Sequence, residues 1–341
     1  MLAAFSLSAC GAANSADGRQ VPDAVVLRID RVAVAANRPN GAGSWDGPAP
    51  EGREGATCSL LAWGATLASP VAGQGMNLLC GLAAPEQVER NPQNPDLRVR
   101  LAAGTSVRFD SPTAEDATDH VFGYEYVVPL EGVPKDGIQL QVLDADSGQD
   151  QETIGVLRLT QQKLVAALQS PTGLIEAAEG GVLRLEIVVT PYVPATLALR
   201  NMPATASPTP IGDRKLAAGE FVTLHAEGGY TVGSWYDKQV GPSGYPGERA
   251  RSYNFTLEPF HSAPHACGIA LVGDGQTVEG ALVAPDGSFQ VLHAGALRVG
   301  LNDSDPGNNQ GSLSFHGAAR APTAAEWTRA YAPSAASPVA L

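Results

Sequence analysis

Short segments rich in Val, Ile and Leu recur along this chain of 341 residues, separated by turns rich in Gly, Pro and Asp. Residues 24–36 alternate apolar and polar side chains, as a half-buried strand does. Farther on, two strand patterns meet at a turn formed by Ala103 and Gly104. Many short strands between turns are typical of antiparallel sandwiches, and the length suffices for two cores. The sequence therefore predicts an all-β protein with two β-sandwich domains.

The net charge and the lack of catalytic sequence motifs exclude several classes of function. The formal net charge is −13 at pH 7. Nucleic-acid binding needs a positive face, so nucleic acid is excluded as a main partner, whereas cation sites fit an acidic surface. The sequence has no nucleophile elbow, Walker loop, zinc-protease motif or dinucleotide fingerprint. We therefore expect a binding protein that is not an enzyme.

A loop near the C-terminus gathers acidic and amide side chains between two strand patterns that we expect to pair as a hairpin. Its oxygen-bearing residues are Asn302, Asp303, Asp305, Asn308 and Asn309. Calcium takes about 6–8 oxygen ligands from such groups. The loop therefore predicts a metal site. The alternative is an ordinary turn, because Asp, Asn and Gly tolerate the backbone angles that turns require.

The sequence around this loop resembles the LecA-like calcium-dependent galactose-binding lectins and related carbohydrate-binding modules, over about residues 185–317. The matching motifs are GPSGYPG at 241–247, IALVGDG at 269–275 and the loop itself. The resemblance implies a jelly-roll sandwich that binds Ca²⁺ and a galactose-like sugar or glycan. It implies that Asp303 bridges metal and sugar, that Asn308 and Asn309 bind both, and that Asp305 assists.

Loop residues beside the proposed site are candidates for contact with the sugar ring, because aromatic faces stack on sugars. The expected ligand-binding residues, besides Asp303 and Asn308, are Ser304, Ser234, Trp235 and Tyr236. Tyr230 lies at a strand end, and we expect it to fill the end of the sandwich instead. The His and Gln that contact sugar in the lectins have no counterpart directly after the GPSGYPG motif.

The N-terminal half resembles a C2 domain over about residues 25–168, through PDLRVRL at 95–101 and LQVLDADSGQDQETIG at 140–155. Asp144 and Asp146 alternate on a strand and so share one face, where two carboxylates repel unless a cation neutralises them. The resemblance implies a calcium site formed by Asp96, Asp144, Asp146 and Asp150 or Glu152. The alternative is a solvated acidic turn. C2 domains often bind anionic lipid.

The four Cys residues have three different expected roles. Residues 7–10, Leu-Ser-Ala-Cys, resemble a bacterial lipobox, which implies a lipid anchor at Cys10 and a place in the cell envelope, in the outer membrane or periplasm. An alternative is a poorly ordered apolar tail. Cys58 and Cys80 flank a segment with helical apolar spacing, and in an exported protein they are expected to form a disulfide. Cys267 lies in a strand pattern and is expected to be a buried thiol.

These observations predict a domain order along the chain. The segments are a signal remnant and linker at 1–23, a C2-like sandwich at 24–168, a linker at 169–181, a LecA-like jelly roll at 182–318 and a tail at 319–341. The predicted function is calcium-dependent carbohydrate binding by a surface lipoprotein. The alternatives are an envelope protein whose calcium sites only stabilise the fold, or a C2 protein that binds lipid or protein in a calcium-dependent way.

Overall fold

The computed structural model describes residues 21–38, 43–45, 94–145, 151–206, 208–233, 236, 238–245, 252–256, 259–273, 278–283 and 285–328. These residues form four four-stranded sheets in which the strands pair antiparallel. The sheets pack as two sandwiches with separate apolar cores, which confirms the all-β prediction. Helices in these residues fall short of the length and apolar character needed to cross a bilayer.

The first sandwich contains eight strands, a helix and a 3-10 turn. The strands are β1 (Ala24–Val34), β2 (Leu97–Ala103), β3 (Ser106–Asp110), β4 (Asp119–Pro129), β5 (Ile138–Ala145), β6 (Gln151–Leu159), β7 (Leu174–Glu179) and β8 (Val182–Pro191). One sheet has the order β4-β1-β8-β7 and the other β3-β2-β5-β6. The turn is Leu130–Gly132, and helix α1 (Gln161–Gln169) starts at Thr160, whose Oγ1 accepts a hydrogen bond from the Lys163 N–H.

The last two strands of this sandwich correct the predicted domain boundary. The prediction placed a linker at 169–181 and the start of the second domain at 182. Instead β7 pairs with β8, and β8 pairs along β1. Leu185, Ile187 and Val189 alternate along β8 and are buried in the first core. Alternation shows that a segment is a strand with one buried face, but it does not identify which core that face joins.

The second sandwich also contains eight strands. They are β9 (Ala195–Pro203), β10 (Thr209–Pro210), β11 (Phe221–Thr231), β12 (Gly268–Gly273), β13 (Val278–Leu282), β14 (Asp286–Gln290), β15 (Ala296–Leu301) and β16 (Gln310–Arg320). The sheets have the orders β10-β15-β12-β13 and β14-β11-β16-β9. The predicted hairpin between β15 and β16 is therefore wrong. The acidic loop crosses from one sheet to the other, because β16 pairs with β11 and β9.

The second sandwich returns to the first through a short helix, α2 (Ala324–Thr328), in the segment predicted as a tail. Trp327 in this helix is 2% exposed and belongs to the core of the first sandwich. The Arg108 guanidinium lies over its ring, 5.0 Å from the centroid, and donates to the Thr328 carbonyl. A second connection runs along the edge of β4, where Val127 N–H donates to the Ala218 carbonyl at 2.8 Å. The two sandwiches are thus in direct contact.

A buried ionic group reinforces this junction. Glu220, just before β11, is fully buried and accepts from both Nη atoms of Arg214 at 2.7 and 2.9 Å. It also accepts from the Tyr192 hydroxyl at 2.8 Å and from the Ala217 N–H at 2.6 Å. Arg214 donates further to the Val193 carbonyl, in the segment that joins the two sandwiches. A buried carboxylate with this many donors stabilises one geometry of that segment.

Several predicted features lie outside the described residues and stay predictions. They are the lipid anchor at Cys10, the disulfide between Cys58 and Cys80 with its helical segment, the acidic residues Asp146 and Asp150, and the loop residues Ser234 and Trp235. Cys267 is described. It is a buried free thiol directly before β12, as predicted, and burial raises its pKa to about 11.

Candidate functional site

The acidic loop spans residues 302–309 at one end of the second sandwich, where the chain passes from β15 to β16. Its first residue, Asn302, faces the interior and is fully buried. The Asn302 Oδ1 accepts from the Phe255 N–H at 3.2 Å, and its Nδ2 donates to the Phe260 carbonyl at 2.7 Å. Asn302 therefore ties Phe255 and Phe260 to the loop from inside the sandwich.

Asp303 and Asn309 meet at the centre of the loop. Asp303 is 4% exposed and Asn309 is 3% exposed. One carboxylate oxygen of Asp303 accepts from the Asp305 N–H at 2.9 Å, and the other accepts from Asn309 Nδ2 at 2.9 Å. The Asn309 Oδ1 accepts from the Gly233 N–H at 3.3 Å, at the end of β11. The structure thus brings together two of the predicted ligands and the chain after β11.

His265 approaches the same carboxylate from the segment before β12. Its Nε2 lies 3.8 Å from Asp303 Oδ2, and its Nδ1 lies 3.0 Å from Asn254 Oδ1. Asn254 uses its Nδ2 to donate to three carbonyls, those of Phe260, His261 and Ala263. Asn254 Oδ1 therefore acts as acceptor, so His265 Nδ1 carries the proton and Nε2 presents a lone pair in the neutral ring.

In the described part of the chain, the Asp303 carboxylate is met by two hydrogen-bond donors and an imidazole, with no cationic side chain beside it. Burial lowers the pKa of His265, against the opposing effect of Asp303, and so favours the neutral imidazole. Among the described residues, the ion pairs give Asp303 no Lys or Arg partner. A buried carboxylate without a countercharge is costly, and a bound cation would remove that cost. This electrostatic deficit is the strongest structural sign of a cation site here.

The side chains around Asp303 offer oxygen atoms of the kind that calcium prefers. Asp303 supplies carboxylate oxygens, and the exposed side chains of Asp305 and Asn308 supply more oxygens at the rim. Asn309 presents its Nδ2 to Asp303, so its amide must turn over to offer Oδ1 to an ion held there. That change breaks the hydrogen bonds of Asn309 Nδ2 to Asp303 and to the Ala204 carbonyl, and the hydrogen bond from the Gly233 N–H to Oδ1, so calcium binding requires this part of the loop to rearrange. No group of three or more His, Cys, Asp or Glu side chains forms a metal cage within the described part of the chain.

The rim of the loop is exposed and carries an aromatic side chain that the sequence analysis missed. Ser304 is exposed, and its N–H and Oγ both donate to the Tyr253 carbonyl, at 2.7 and 2.9 Å. Tyr253 is 52% exposed, and its ring centroid lies 6.1 Å from that of His265. The sequence around Tyr253, Ser-Tyr-Asn-Phe-Thr at 252–256, has no periodic pattern that would have marked it as a site residue.

Two other aromatic residues from the sequence analysis, Tyr230 and Tyr236, pack against protein groups. Tyr230 is buried in the core, as expected, and its hydroxyl donates to the carbonyls of Gly241 and Ala266. Tyr236 is half-buried and packs edge-on against Tyr245, with ring centroids 4.6 Å apart. Tyr230 is therefore a structural residue, and a contact between Tyr236 and a ligand stays a prediction.

In the first sandwich, the acidic residues Asp96 and Asp144 accept hydrogen bonds from backbone N–H groups. Asp144 is fully buried at the end of β5, and its Oδ1 accepts from the Asp96 N–H at 2.9 Å. Asp96 in turn accepts from the Asp116 N–H at 2.9 Å. The structure brings Asp96 and Asp144 together, as predicted, but it uses each carboxylate to fix a neighbouring loop. Calcium binding by this group stays a prediction.

Comparison with known proteins gives likeness in fold only. No family model matches the chain, and no curated protein matches it. A solved "PllA-like lectin", the EclA N-terminal domain, matches 37% of this chain and 98% of its own, with 19% identity and a TM-score of 0.28. A solved C2 domain matches 49% of this chain and 97% of its own, with 12% identity and a TM-score of 0.25. The calcium-bound pair of C2 domains from extended synaptotagmin 2 matches 89% of this chain and 99% of its own, with 8% identity and a TM-score of 0.32.

Proposed function

We propose that the second sandwich is a calcium-dependent carbohydrate-binding module. The observation that supports it best is the buried Asp303 carboxylate, which meets a neutral imidazole and an amide but no Lys or Arg side chain among the described residues. The loop has the residue order that the lectin resemblance implies for a calcium ligand set. Exposed polar groups and Tyr253 border it on the solvent side.

In this proposal Asp303, Asn309 and Asn308 hold the ion, and Asp305 assists from the rim. Bound calcium supplies positive charge and open coordination positions that sugar hydroxyls can fill in place of water. Ser304 lies beside Asp303 and offers a hydroxyl, while Tyr253 offers a ring face on which a sugar can stack. His265 keeps a lone pair directed at the site and can accept a hydrogen bond from a sugar hydroxyl.

For the whole chain we propose a non-catalytic lipoprotein of the bacterial cell envelope, anchored at Cys10. This part rests on the lipobox-like sequence and on the lack of catalytic motifs. In this arrangement the first sandwich carries the binding module away from the membrane. Contact of its acidic loop with lipid or protein remains a separate possibility of the C2 resemblance.

A second candidate function has an observation in its favour. Asp303 and Asn309 are almost completely buried, so a cation between them could serve only to stabilise the fold. A ligand that binds only the folded state adds RT ln(1 + [L]/Kd) to stability, about 2.7 kcal/mol at a hundredfold excess over Kd. Both candidates predict calcium-dependent stability, and only the first predicts calcium-dependent glycan binding.

The test combines thermal unfolding with a glycan array, each in EDTA and in millimolar calcium. We expect calcium to raise the Tm of the wild type and of Asp136→Asn, an exposed carboxylate of the first sandwich, but not of Asp303→Asn. Glycan binding should follow the same pattern. A calcium-induced rise that persists in Asp303→Asn would refute the site. A rise lost in Asp303→Asn, without glycan binding by the wild type, would leave the structural function.

A further inference from the structure

A second group of side chains, chemically different from the acidic loop, lies on the outer face of the sheet β14-β11-β16-β9. The strand register places His225 of β11 opposite Asp286 of β14 on one side and opposite His316 of β16 on the other. Leu224 and Phe315, which neighbour the two histidines in sequence, are buried in the core. Because strand side chains alternate, the three polar side chains project outward together.

The two imidazole rings lie at a distance that suits a shared metal ion. Their centroids are 4.7 Å apart and their planes are tilted by 54°. Imidazole nitrogens bind zinc at about 2.0–2.1 Å, which puts each ring centre about 3 Å from the ion and two ring centres roughly 5 Å apart at a tetrahedral metal. The observed spacing therefore requires little movement of either strand.

Asp286 sets the orientation and the tautomer of one ring. Its Oδ1 lies 2.5 Å from His225 Nδ1. The carboxylate accepts a hydrogen bond from the Nδ1–H group. Nε2 of the neutral ring therefore keeps its lone pair for a metal. Histidines that bind metals commonly have such a carboxylate behind them, and it makes the ring a stronger donor. Asp286 thus acts as a positioning residue, with the two histidines as donors.

The surroundings leave room for an ion and its waters. Thr223, two residues before His225, contacts Ser288 through their hydroxyls at 3.2 Å, and Ala198 of β9 lies opposite His316. Because these side chains are short, they leave space beside the two longer imidazole side chains. Glu227, two residues after His225 on the same strand, is exposed and adds negative charge to this face.

We propose that His225 and His316 bind a divalent first-row transition ion such as zinc, with water in the remaining coordination positions. Nitrogen donors suit such ions, whereas the oxygen donors around Asp303 suit calcium. A two-donor site is consistent with the absence of a larger cage of acidic, His and Cys residues in the described part of the chain. His316 lies seven positions after Asn309, most of them along β16, which separates the two sites by roughly 20 Å.

The test is calorimetric titration of the full chain with zinc chloride, after saturation with calcium. We expect one zinc ion to bind per chain. His316→Ala and His225→Ala should each weaken binding by about tenfold or more, and Asp286→Asn by about tenfold, the low end of the effect known for carboxylates behind metal-binding histidines. His261→Ala removes an exposed imidazole elsewhere in the same sandwich and is the matched control, expected to bind as the wild type does.

Three results would overturn the proposal. The first is a wild type that takes up no zinc at millimolar concentration. The second is wild-type affinity in both His225→Ala and His316→Ala. The third is loss of zinc binding in His261→Ala, which would place the ion at another site. Calcium-dependent stability is measured separately, so failure of the zinc site leaves the proposal for the Asp303 loop unaffected.

Discussion

Trp327 provides the sharpest test of how the two sandwiches depend on each other. The perturbation is Trp327→Ala, which removes an indole that lies in the core of the first sandwich although its helix follows the last strand of the second. The ring is in contact with Gly132, where an added Cβ would come within 3.1 Å of the indole. We expect the first sandwich to lose stability and the second sandwich to keep its own core.

The magnitude follows from burial. A Trp side chain buries about 150–250 Å². At about 25 cal/mol per Å², this corresponds to roughly 4–6 kcal/mol, an upper value because unfolded chains already bury some apolar area. Large-to-small substitutions of Trp cost about 3–5 kcal/mol in practice. The interaction with the Arg108 guanidinium, which is buried like the indole, contributes about 2 kcal/mol to the wild type, within that range.

The assay is scanning calorimetry together with urea unfolding followed by circular dichroism. For a domain of this size we expect the Tm of the first sandwich to fall by roughly 10 °C in Trp327→Ala, since 1 kcal/mol corresponds to about 2–4 °C. Trp327→Phe should lose less than half as much. Leu183→Ala, at an exposed position of β8, is the control. A loss in Trp327→Ala no larger than in Leu183→Ala would refute the packing argument.

Three further predictions concern charge and reactivity. Glu220→Gln should cost about 2–3 kcal/mol in urea unfolding, because Arg214 loses its buried partner, and an unchanged midpoint would contradict this. Arg320 holds the pKa of Glu326 at about 2, below its usual 4.5, so Glu326 stabilises the fold above pH 4.5 and loses this effect toward pH 2. Over that window the wild type should lose about 1 kcal/mol more than Glu326→Gln in a pH series of unfolding curves, and equal losses would argue against it. Cys267, buried and with its pKa raised to about 11, should resist alkylation at pH 8 until urea unfolds the chain, as peptide mapping would show.

Local structure could be predicted from the sequence to a large extent, because strands and turns depend on nearby residues. The alternation at 24–36 indicated β1, and the turn at Gly104, which has a positive φ of 59°, joins β2 and β3 as expected. Helix α1 likewise has local signals at both ends, with Thr160 as its N-cap and Pro171 just past its C-terminus. These features depend on side-chain period, turn chemistry and capping. All three are determined by residues that are close together in the sequence.

Long-range pairing was where prediction failed. The alternation in β8 identifies a buried face but not the core that it joins, and the same pattern fits either sandwich. The loop at 302–309 has hairpin chemistry, yet its flanking strands lie in different sheets. Asn302 was counted among possible ligands because of its type, whereas its hydrogen bonds to Phe255 and Phe260 turn it inward.

The candidate site was predictable only in its central residues. Asp303 and Asn309 meet as the loop motif suggested. His265, Asn254 and Tyr253 come from a segment about 40–50 residues earlier, and only the hydrogen bonds around Asn302 and Ser304 bring that segment to the loop. No periodicity encodes such a contact, because it depends on two irregular segments that fold against each other.

The position of Trp327 also constrains how the protein is made. The first sandwich begins with β1 at Ala24, but its core is complete only when Trp327 has left the ribosome. At about 5–20 residues per second, synthesis from Pro191 to Trp327 takes on the order of ten seconds. During that time the nascent first sandwich exposes the apolar surface around Leu130 that α2 later covers. A chaperone that binds apolar surface therefore has a defined target and a defined interval on this chain.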